Sequence, residues 1–338
     1  MADPIAALLK QRLIVVTGKG GVGKTSLAAS LALRAAAEGR RVGLFEMSHT
    51  EALAPLFGHP PVAMAETRVR ERLFIANLDP KACFERFVLR SLKSKTLYRL
   101  LFSNRLVDSF IQAIPGLDSL LVLAELLEAA EWRGERRGVE PPYDLVILDA
   151  PATGHGLTLI NTPRNLMTML GSGPIHSLAR RVFDRLADPA FTSLQVVTLP
   201  EEMPVNECLE LHRVARETLE IPLGPVILNA MPPAEIGPAG AALLSAGDSD
   251  PSATLADRAG VSAITAAALT RAARTAAGHS RDRRRAAEER AADLDEGLAR
   301  PALRLPLLTG ARFGFAEIET LAGVLAEQLD RLAEEEGS

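Results

Sequence analysis

The sequence predicts a doubly wound α/β fold, in which helices cover both faces of a mostly parallel β-sheet. Two observations lead to this prediction: short apolar runs recur along the chain, and helical segments separate them. Most of the runs are continuously apolar, which is typical of strands that are buried on both faces of a parallel sheet. The predicted strands are 13–17, 42–45, 73–78, 145–149, 194–199, 226–229 and 302–305.

The first predicted helix, 25–38, is rich in Ala and Leu and is followed by Gly39, a residue type that commonly ends helices. Two longer regions with helical periodicity interrupt the alternation of strands and helices. We expect them to form a helical subdomain beside the sheet, from about 81–135 and 163–190. No internal repeat is evident, and residues 1–338 are assigned to a single domain.

An Ala- and Arg-rich tract in the C-terminal third is predicted to be helical up to about residue 300. Its basic run is followed by acidic residues at a spacing of four, which pairs Arg284 with Glu288 and Arg285 with Glu289 on one helix face. We interpret this run as a solvated, ion-paired face. A patch for an anionic partner is the alternative.

Composition excludes several classes of protein. The chain has 338 residues, with 38 Lys and Arg against 42 Asp and Glu, which gives a formal net charge of −4. A near-neutral chain with 4% aromatic residues lacks the charge and the stacking side chains of a dedicated nucleic-acid-binding protein. No apolar run reaches the ~18–20 residues that span a bilayer, and the N-terminus has no signal-peptide pattern. The two cysteines, Cys83 and Cys208, form no CxxC pair, which excludes a disulfide scaffold. We therefore expect a cytoplasmic protein that binds no nucleic acid.

The most specific motif is Gly18-Lys19-Gly20-Gly21-Val22-Gly23-Lys24-Thr25, which fits G-x-x-x-x-G-K-[ST]. It follows a predicted strand and opens a predicted helix, as a phosphate-binding loop requires. Glycines allow backbone N–H groups to curl around phosphate oxygens, and the helix N-terminus adds positive potential. The motif predicts binding of ATP or GTP by these residues and by the next one, Ser26.

Within this loop, Lys24 is predicted to place its charge on the β- and γ-phosphates, and Thr25 to offer its hydroxyl to Mg²⁺. Lys19 cannot share the space beside the same phosphates and is expected to point towards solvent or a second subunit. This Lys-Gly-Gly-x-Gly-Lys-Thr variant resembles the deviant Walker A motif of the family that contains the Min and Par ATPases, nitrogenase iron protein and the arsenite-pump ATPases. The resemblance implies a nucleotide-sandwich dimer, in which Lys19 acts on the partner's nucleotide as an arginine finger does.

A second motif lies at the end of the strand 145–149, where Asp149 gives the Walker B pattern of an Asp that would hold Mg²⁺ through water. The next residues, Ala150-Pro151-Ala152-Thr153-Gly154-His155, resemble the switch II signature of the arsenical pump-driving ATPase family, Asp-Thr-Ala-Pro-Thr-Gly-His, with the proline one place earlier. That family also includes the ATPase that delivers tail-anchored membrane proteins. The resemblance implies ATPase activity and a segment 149–156 that moves with the γ-phosphate, with His155 in a switch role.

Three further segments resemble the same family. Residues 197–202 resemble its strand-exit segment, 226–229 the strand that ends in an adenine-recognising Asn, and 305–308 the loop that covers the base. The resemblance implies that Asn229 and Pro306 belong to the base site. An Asn side chain offers both a donor and an acceptor to the amino edge of adenine, which favours ATP over GTP.

The sequence departs from the family pattern after its second strand. Where the family carries Asp-Pro-Ala-His, whose Asp positions the attacking water, this chain has Ser48-His49-Thr50-Glu51. A serine is a poor base at neutral pH. Glu46 is the first candidate to replace the missing carboxylate, with His49 and Glu51 as the others. Slow turnover, with nucleotide binding as the functional event, is the alternative.

We therefore predict an ATPase that uses ATP and Mg²⁺, with Lys19, Lys24, Glu46 and Asp149 as catalytic residues and with Thr25 and Asp149 holding the metal. It is expected to form a homodimer, or a heterodimer with a related ATPase, and to energise or gate a partner such as a membrane transporter.

A nucleotide-gated chaperone or targeting factor for membrane proteins is the alternative function. Its candidate apolar groove is formed by Leu166, Met167, Met169, Leu170 and Ile175 with the helices of 97–111. A Par-type positioning scaffold is disfavoured by the switch II resemblance. A three-thiolate arsenite site is not recognisable, because the chain has only two cysteines.

Overall fold

The computed structural model describes residues 11–48, 50–91, 111, 113–131, 142–151, 156–233, 252–308 and 313–336. Eight strands form one sheet in the order β3-β4-β2-β5-β1-β6-β7-β8. They are β1 (Leu13–Thr17), β2 (Val42–Glu46), β3 (Thr67–Arg70), β4 (Leu73–Asn77), β5 (Leu145–Asp149), β6 (Thr192–Thr198), β7 (Ile227–Met231) and β8 (Leu303–Pro306). Neighbouring strands are parallel, except that β3 runs antiparallel to β4.

Within the described residues, ten α-helices connect and cover these strands. They are α1 (Lys24–Ala37), α2 (Leu53–Leu56), α3 (Pro80–Ser91), α4 (Leu117–Ala130), α5 (Gly156–Leu170), α6 (Pro174–Leu186), α7 (Glu202–Val214), α8 (Ser252–Ala259), α9 (Ala263–Leu298) and α10 (Phe315–Glu336). A π-helical turn, Ala215–Leu219, continues α7. No helix in the described part of the chain is long and apolar enough to cross a membrane.

The predicted fold class is confirmed, and a strand is present at each of the seven predicted positions. The sequence analysis missed β3, which contains two arginines and buries only Val69. Short, charged strands are common at sheet edges, where they discourage pairing with another chain. The periodicity of β3 was therefore too weak to identify it.

Two apolar cores lie on opposite faces of the sheet. On one face, α1 and α10 pack over side chains that include Ile14 and Ile147. On the other face, α4, α5, α6, α7 and α9 pack over side chains that include Leu13, Val15 and Leu148. Successive residues of β1 and β5 enter different cores because side chains alternate along a strand. This arrangement explains why both strands are continuously apolar.

The helical region beside the sheet is built from α4, α5 and α6, which pack against one another. Arg181 of α6 forms an ion pair of 2.9 Å with Glu128 of α4, and Glu131 binds both Arg181 and Arg185. α5 begins at Gly156, before the predicted boundary at about 163. Residues 92–110, 112 and 132–135, which were also predicted to belong here, lie outside the described residues.

The apolar side chains predicted to form a client groove belong mostly to this core. Leu166 is buried, and Met167, Leu170 and Ile175 pack against the core cluster, whereas Met169 is 54% exposed. Most of the second candidate segment, 97–111, lies outside the described residues. Except for Met169, the described side chains of the predicted groove therefore pack in the interior.

Both predicted ion pairs of the long helix α9 are present. Arg284 binds Glu288, and Arg285 Nε lies 3.1 Å from Glu289 Oε1. Glu288 also binds Arg304 of β8 at 2.8 Å. Arg284 and Glu288 are therefore part of a contact between the sheet edge and α9, while Arg285 lies on a solvated face.

Candidate nucleotide-binding site

The carboxyl ends of neighbouring strands meet at one cavity. β5 lies between β1 and β2, and Asp149 at its end is in register with Val16 of β1 and with Glu46 of β2. The loop after β1 and the ends of β2, β4 and β5 line a cavity of about 760 Å³. Ligands of open α/β sheets bind at the carboxyl ends of the strands, so this is the position expected for a ligand.

The loop after β1 contains glycines where its backbone turns and approaches other strands. Gly18 and Gly23 have φ angles of 149° and 92°. A Cβ on Gly18 would lie 2.3 Å from the carbonyl oxygen of Val197, and a Cβ on Gly23 would lie 2.2 Å from Nδ2 of Asn229. A larger residue at either position would displace the loop from β6 or β7. The loop residues in the cavity wall are Gly21, Gly23, Lys24, Thr25 and Ser26.

Lys24 begins α1 and is 5% exposed. Its ammonium donates a hydrogen bond of 2.9 Å across the loop to the backbone carbonyl of Lys19. Burial lowers the pKa of Lys24, and the negative charge of Asp149 opposes that shift. An ammonium has three N–H donors, so Lys24 has donors left for an anion in the cavity.

Thr25 and Asp149 are in direct contact beside Lys24. The Thr25 hydroxyl donates to Asp149 Oδ2 at 2.6 Å. The other oxygen, Asp149 Oδ1, is buried and has no hydrogen-bond partner among the described residues. Burial raises the pKa of Asp149 to about 6, although the Thr25 hydrogen bond and the Lys24 charge lower it. An unpartnered carboxylate oxygen beside a hydroxyl fits Mg²⁺, which prefers oxygen ligands.

Glu46 ends β2, lies in the same cavity wall and is 2% exposed. Its carboxylate accepts hydrogen bonds from the N–H groups of Ala52 and Leu53, at 2.9 and 3.3 Å. Burial raises the pKa of Glu46, and these two backbone hydrogen bonds lower it. Glu46 therefore connects the cavity to the start of α2.

Ser48 also lies in the cavity wall, but its hydroxyl is used in a local turn. The hydroxyl donates to the carbonyl of Thr50 at 2.7 Å and accepts from the N–H of Thr50 at 3.2 Å. The backbone of Ser48 is held by Asn77 at the end of β4, which accepts from the Ser48 N–H and donates to the Ser48 carbonyl. Asn77 thus fixes the segment that follows β2.

Glu51 and His49 were the other candidates to replace the missing carboxylate, and the structure describes only Glu51. Glu51 accepts hydrogen bonds from the N–H groups of Val62 and Ala63, at 2.5 and 2.8 Å, and is absent from the described cavity wall. His49 lies outside the described residues. Among the described side chains of 46–51, Glu46 is therefore the acidic one that lines the cavity.

The two residues predicted for the base lie at the same edge of the sheet. Asn229 of β7 donates from Nδ2 to the carbonyl of Val22 in the loop, at 2.9 Å. Pro306 ends β8 and is in register with Met231 of β7. Asn229 thus braces the phosphate loop, and its carbonyl oxygen and second N–H leave it able to bind a base.

Lys19 extends out of the loop instead of into the cavity. Its ammonium lies 2.6 Å from Oε1 of Glu207 on α7, and the two side chains are 39% and 45% exposed. The switch II residues 152–155 lie outside the described residues, while Ala150 and Pro151 line the cavity.

Four residues of this region were not identified from the sequence: Asn77, Asp79, Asp118 and Glu207. Asp79 and Asp118 line the cavity and accept N–H hydrogen bonds at the starts of α3 and α4. The Asp-Pro pair before α3 is a helix-start signal that could have revealed Asp79. Asn77 and Glu207 contact residues that are distant in the sequence, and such contacts cannot be predicted from a local sequence pattern.

This arrangement defines a P-loop nucleoside triphosphatase. A strand, a glycine-rich loop and a helix follow one another, and they place a lysine and a hydroxyl beside the Asp of the adjacent strand. A family model described as anion-transporting ATPase matches residues 11–178. ATPase BagA of Mycobacterium tuberculosis is 31% identical over 245 residues, which are 71% of this chain and 71% of that protein. The chain therefore belongs to the anion-transporting ATPase family and is an ATPase.

Two further relatives agree with this assignment. ATPase ASNA1 homolog 1 of Paramecium tetraurelia is 31% identical over 156 residues, 46% of this chain and 44% of that protein. The arsenical pump-driving ATPase of Escherichia coli is 26% identical over 229 residues, 65% of this chain and 35% of that protein. The predicted family and the predicted ATPase activity are confirmed.

Both cysteines are interior residues, which leads to a first prediction. Cys83 and Cys208 are 1% and 4% exposed, and burial raises the pKa of Cys208 to about 12. Since the thiolate is the reactive form, we expect neither thiol of the native protein to react with Ellman's reagent at pH 8. The same protein in guanidinium chloride should release two equivalents of the coloured thiolate. Rapid reaction of the native protein would contradict the buried positions.

Proposed function

We propose that this ATPase is a nucleotide-dependent switch, which binds Mg²⁺ and ATP in the cavity, dimerises and couples hydrolysis to a partner protein such as a membrane transporter. The observation that carries the proposal is the Thr25–Asp149 contact beside Lys24. It brings a cation, a hydroxyl and a carboxylate oxygen that has no partner among the described residues to one cavity. The name of a relative, an arsenical pump-driving ATPase, supports the coupling to transport.

Three side chains act on the phosphates in this proposal. The Thr25 hydroxyl and Asp149 hold Mg²⁺, which when bound neutralises charge on the β- and γ-phosphate oxygens. Lys24 donates from its ammonium to oxygens of the transferring phosphoryl group, where negative charge must be stabilised. The N–H groups of the glycine loop bind the remaining phosphate oxygens, and Asn229 keeps that loop in place through Val22.

Glu46 is the residue proposed to position the attacking water. Among the described residues of 46–51 it is the acidic side chain that lines the cavity, and its raised pKa brings it closer to that of a base acting near neutrality. Its hydrogen bonds to Ala52 and Leu53 hold the carboxylate in place.

Glu46→Gln tests this role and separates it from the alternative. We expect kcat to fall by about 100-fold or more, because general-base catalysis contributes at least that much, while the KM for ATP changes little. Glu51→Gln is the matched control, since the Glu51 carboxylate accepts hydrogen bonds from the N–H groups of Val62 and Ala63 and does not line the described cavity. A larger loss of kcat in Glu51→Gln than in Glu46→Gln would reverse the assignment.

Lys19 is proposed to stabilise charge on the nucleotide of a partner subunit. Within its own subunit the side chain leaves the loop, and Lys24 already occupies the phosphate side. Residues that act across an interface in this way are worth roughly 10³–10⁵ in rate in GTPases. The partner is a second copy of this chain or a related ATPase.

Sedimentation velocity tests the dimer. With Mg²⁺, ADP and aluminium fluoride, the wild type should sediment as a dimer, and without nucleotide as a monomer. Lys19→Ala should bind ATP with unchanged affinity and lose both turnover and nucleotide-dependent dimerisation. A wild type that stays monomeric under both conditions would contradict homodimerisation, and mixing with a related chain would then test the heterodimer.

A further inference from the structure

In the single subunit Lys19 is bound to another side chain, and this contact must break before Lys19 can reach the nucleotide of a partner subunit. The backbone carbonyl of Lys19 accepts a hydrogen bond from Lys24, while the Lys19 side chain points away from Lys24, towards α7. There the ammonium is 2.6 Å from the carboxylate of Glu207. This contact has to break before Lys19 can bind phosphate oxygens elsewhere, because both would use the same ammonium.

The fold fixes Glu207 next to the loop. β6 pairs directly with β1, and the Val197 carbonyl of β6 lies against Gly18 at the start of the loop. α7 begins four residues after the end of β6 and buries Val205 and Cys208. The exposed face of α7 therefore carries Glu207 beside the loop.

The exposure of the contact makes it reversible. The side chains of Lys19 and Glu207 are 39% and 45% exposed, so neither charge is trapped in the interior. Exposed ion pairs contribute little to stability, so this pair can open at a cost far below that of a buried one. A weak, local contact of this kind can compete with phosphate for Lys19 without preventing the reaction.

We infer that Glu207 is a positioning residue, which holds Lys19 within its own subunit until a second subunit with bound nucleotide takes the lysine over. The inference rests on the proposed role of Lys19 across the dimer. Glu207 sets the protein concentration at which the dimer forms, and it has no part in the dimer once Lys19 has left. It therefore opposes dimer formation, and the hydrolysis that depends on the dimer, at low protein concentration.

The charge-neutral variant Glu207→Gln gives a quantitative expectation. An exposed ion pair is worth ~0.2–1 kcal/mol, or about 1.4- to 5-fold, and a dimer opens two of them. Glu207→Gln should therefore lower the dimer dissociation constant by about 2- to 30-fold, measured by sedimentation with Mg²⁺, ADP and aluminium fluoride. Specific ATPase activity should rise at low protein concentration, while kcat at saturating protein concentration stays unchanged.

Two controls distinguish this role from a general effect of charge. Glu210 is exposed on the same helix and forms no ion pair with the described residues, so Glu210→Gln changes net charge equally and should leave dimerisation unchanged. In a Lys19→Ala background, Glu207→Gln should have no effect, because the residue it restrains is absent. A gain that persists without Lys19, or an equal gain from Glu210→Gln, would overturn the inference.

The outcomes also separate this inference from the proposed function. If Lys19→Ala dimerises and hydrolyses ATP like the wild type, the role of Lys19 across the dimer is wrong, and the inference is wrong with it. If Lys19→Ala loses both properties but Glu207→Gln matches the wild type, the dimer proposal holds and only the role of Glu207 is overturned.

Discussion

Lys24→Ala should abolish ATP hydrolysis. Removal of one preorganised donor from a transition state costs about 100- to 1,000-fold in kcat, and Lys24 also carries a full charge, so we expect at least that loss. Turnover assays at saturating Mg²⁺ and ATP measure it. Calorimetric titration should show weakened ATP binding as well, because the same ammonium binds the phosphates before the reaction.

The variant is expected to remain folded, which makes the loss interpretable. Burial lowers the pKa of Lys24, so its charged form is less favourable in the folded protein than in the unfolded chain. Loss of that charge therefore removes a cost to folding. Lys81→Ala is a suitable control, since Lys81 is an exposed lysine near the start of α3. Normal turnover by Lys24→Ala would contradict the role of the loop.

Asp149→Asn should inactivate the enzyme and at the same time stabilise the protein in the absence of Mg²⁺. The variant keeps an oxygen that can accept the Thr25 hydrogen bond, but it loses the negative charge that holds the metal. We expect kcat to fall by about 100-fold or more, as for other losses of transition-state charge stabilisation. Asp144→Asn, at the opposite end of β5, should keep normal turnover.

The stability gain has a defined dependence on pH. The pKa of Asp149 is about 6 in the folded protein, while an unfolded Asp titrates near 3.9. Above pH 6 the carboxylate is charged in both states, and its burial destabilises the folded state. We expect Asp149→Asn to be more stable by about 1–3 kcal/mol at pH 8, and this difference to shrink as the pH falls towards 4. Urea unfolding in EDTA at several pH values measures it, and an equal difference at pH 5 and 8 would contradict this origin.

Local chemistry explains which parts of the fold and site the sequence revealed. The loop after β1 needs residues that tolerate positive φ and close contact, so Gly18 and Gly23 are visible as a spaced motif. β1 and β5 are buried on both faces, so they appear as continuous apolar runs that lead to the loop and to Asp149. The placement of Asp149 beside Thr25 then follows from the pairing of β1 with β5.

The features that could not be predicted from the sequence depend on tertiary contacts or have weak local patterns. β3 is a short edge strand with alternating arginines, and α5 starts in a Gly-Leu-Thr segment, in which Gly and Thr have low helix propensity. Glu207 meets Lys19 only because β6 lies beside β1, and Asn77 meets Ser48 only because β4 lies beside β2. An apolar stripe such as that of α5 fits a groove or a core, and in the structure most of it packs against α4 and α6, with Met169 exposed.

The central claim is that Lys24, Thr25 and Asp149 form one site for Mg²⁺ and ATP, and calorimetric titration of the protein with ATP tests it most directly. The titration is made with Mg²⁺ and with EDTA, for the wild type and for Asp149→Asn. We predict one ATP per chain, bound more tightly with Mg²⁺ by the wild type, and no such Mg²⁺ effect in Asp149→Asn. An equal Mg²⁺ effect in both proteins, or no binding of ATP by the wild type, would contradict the account.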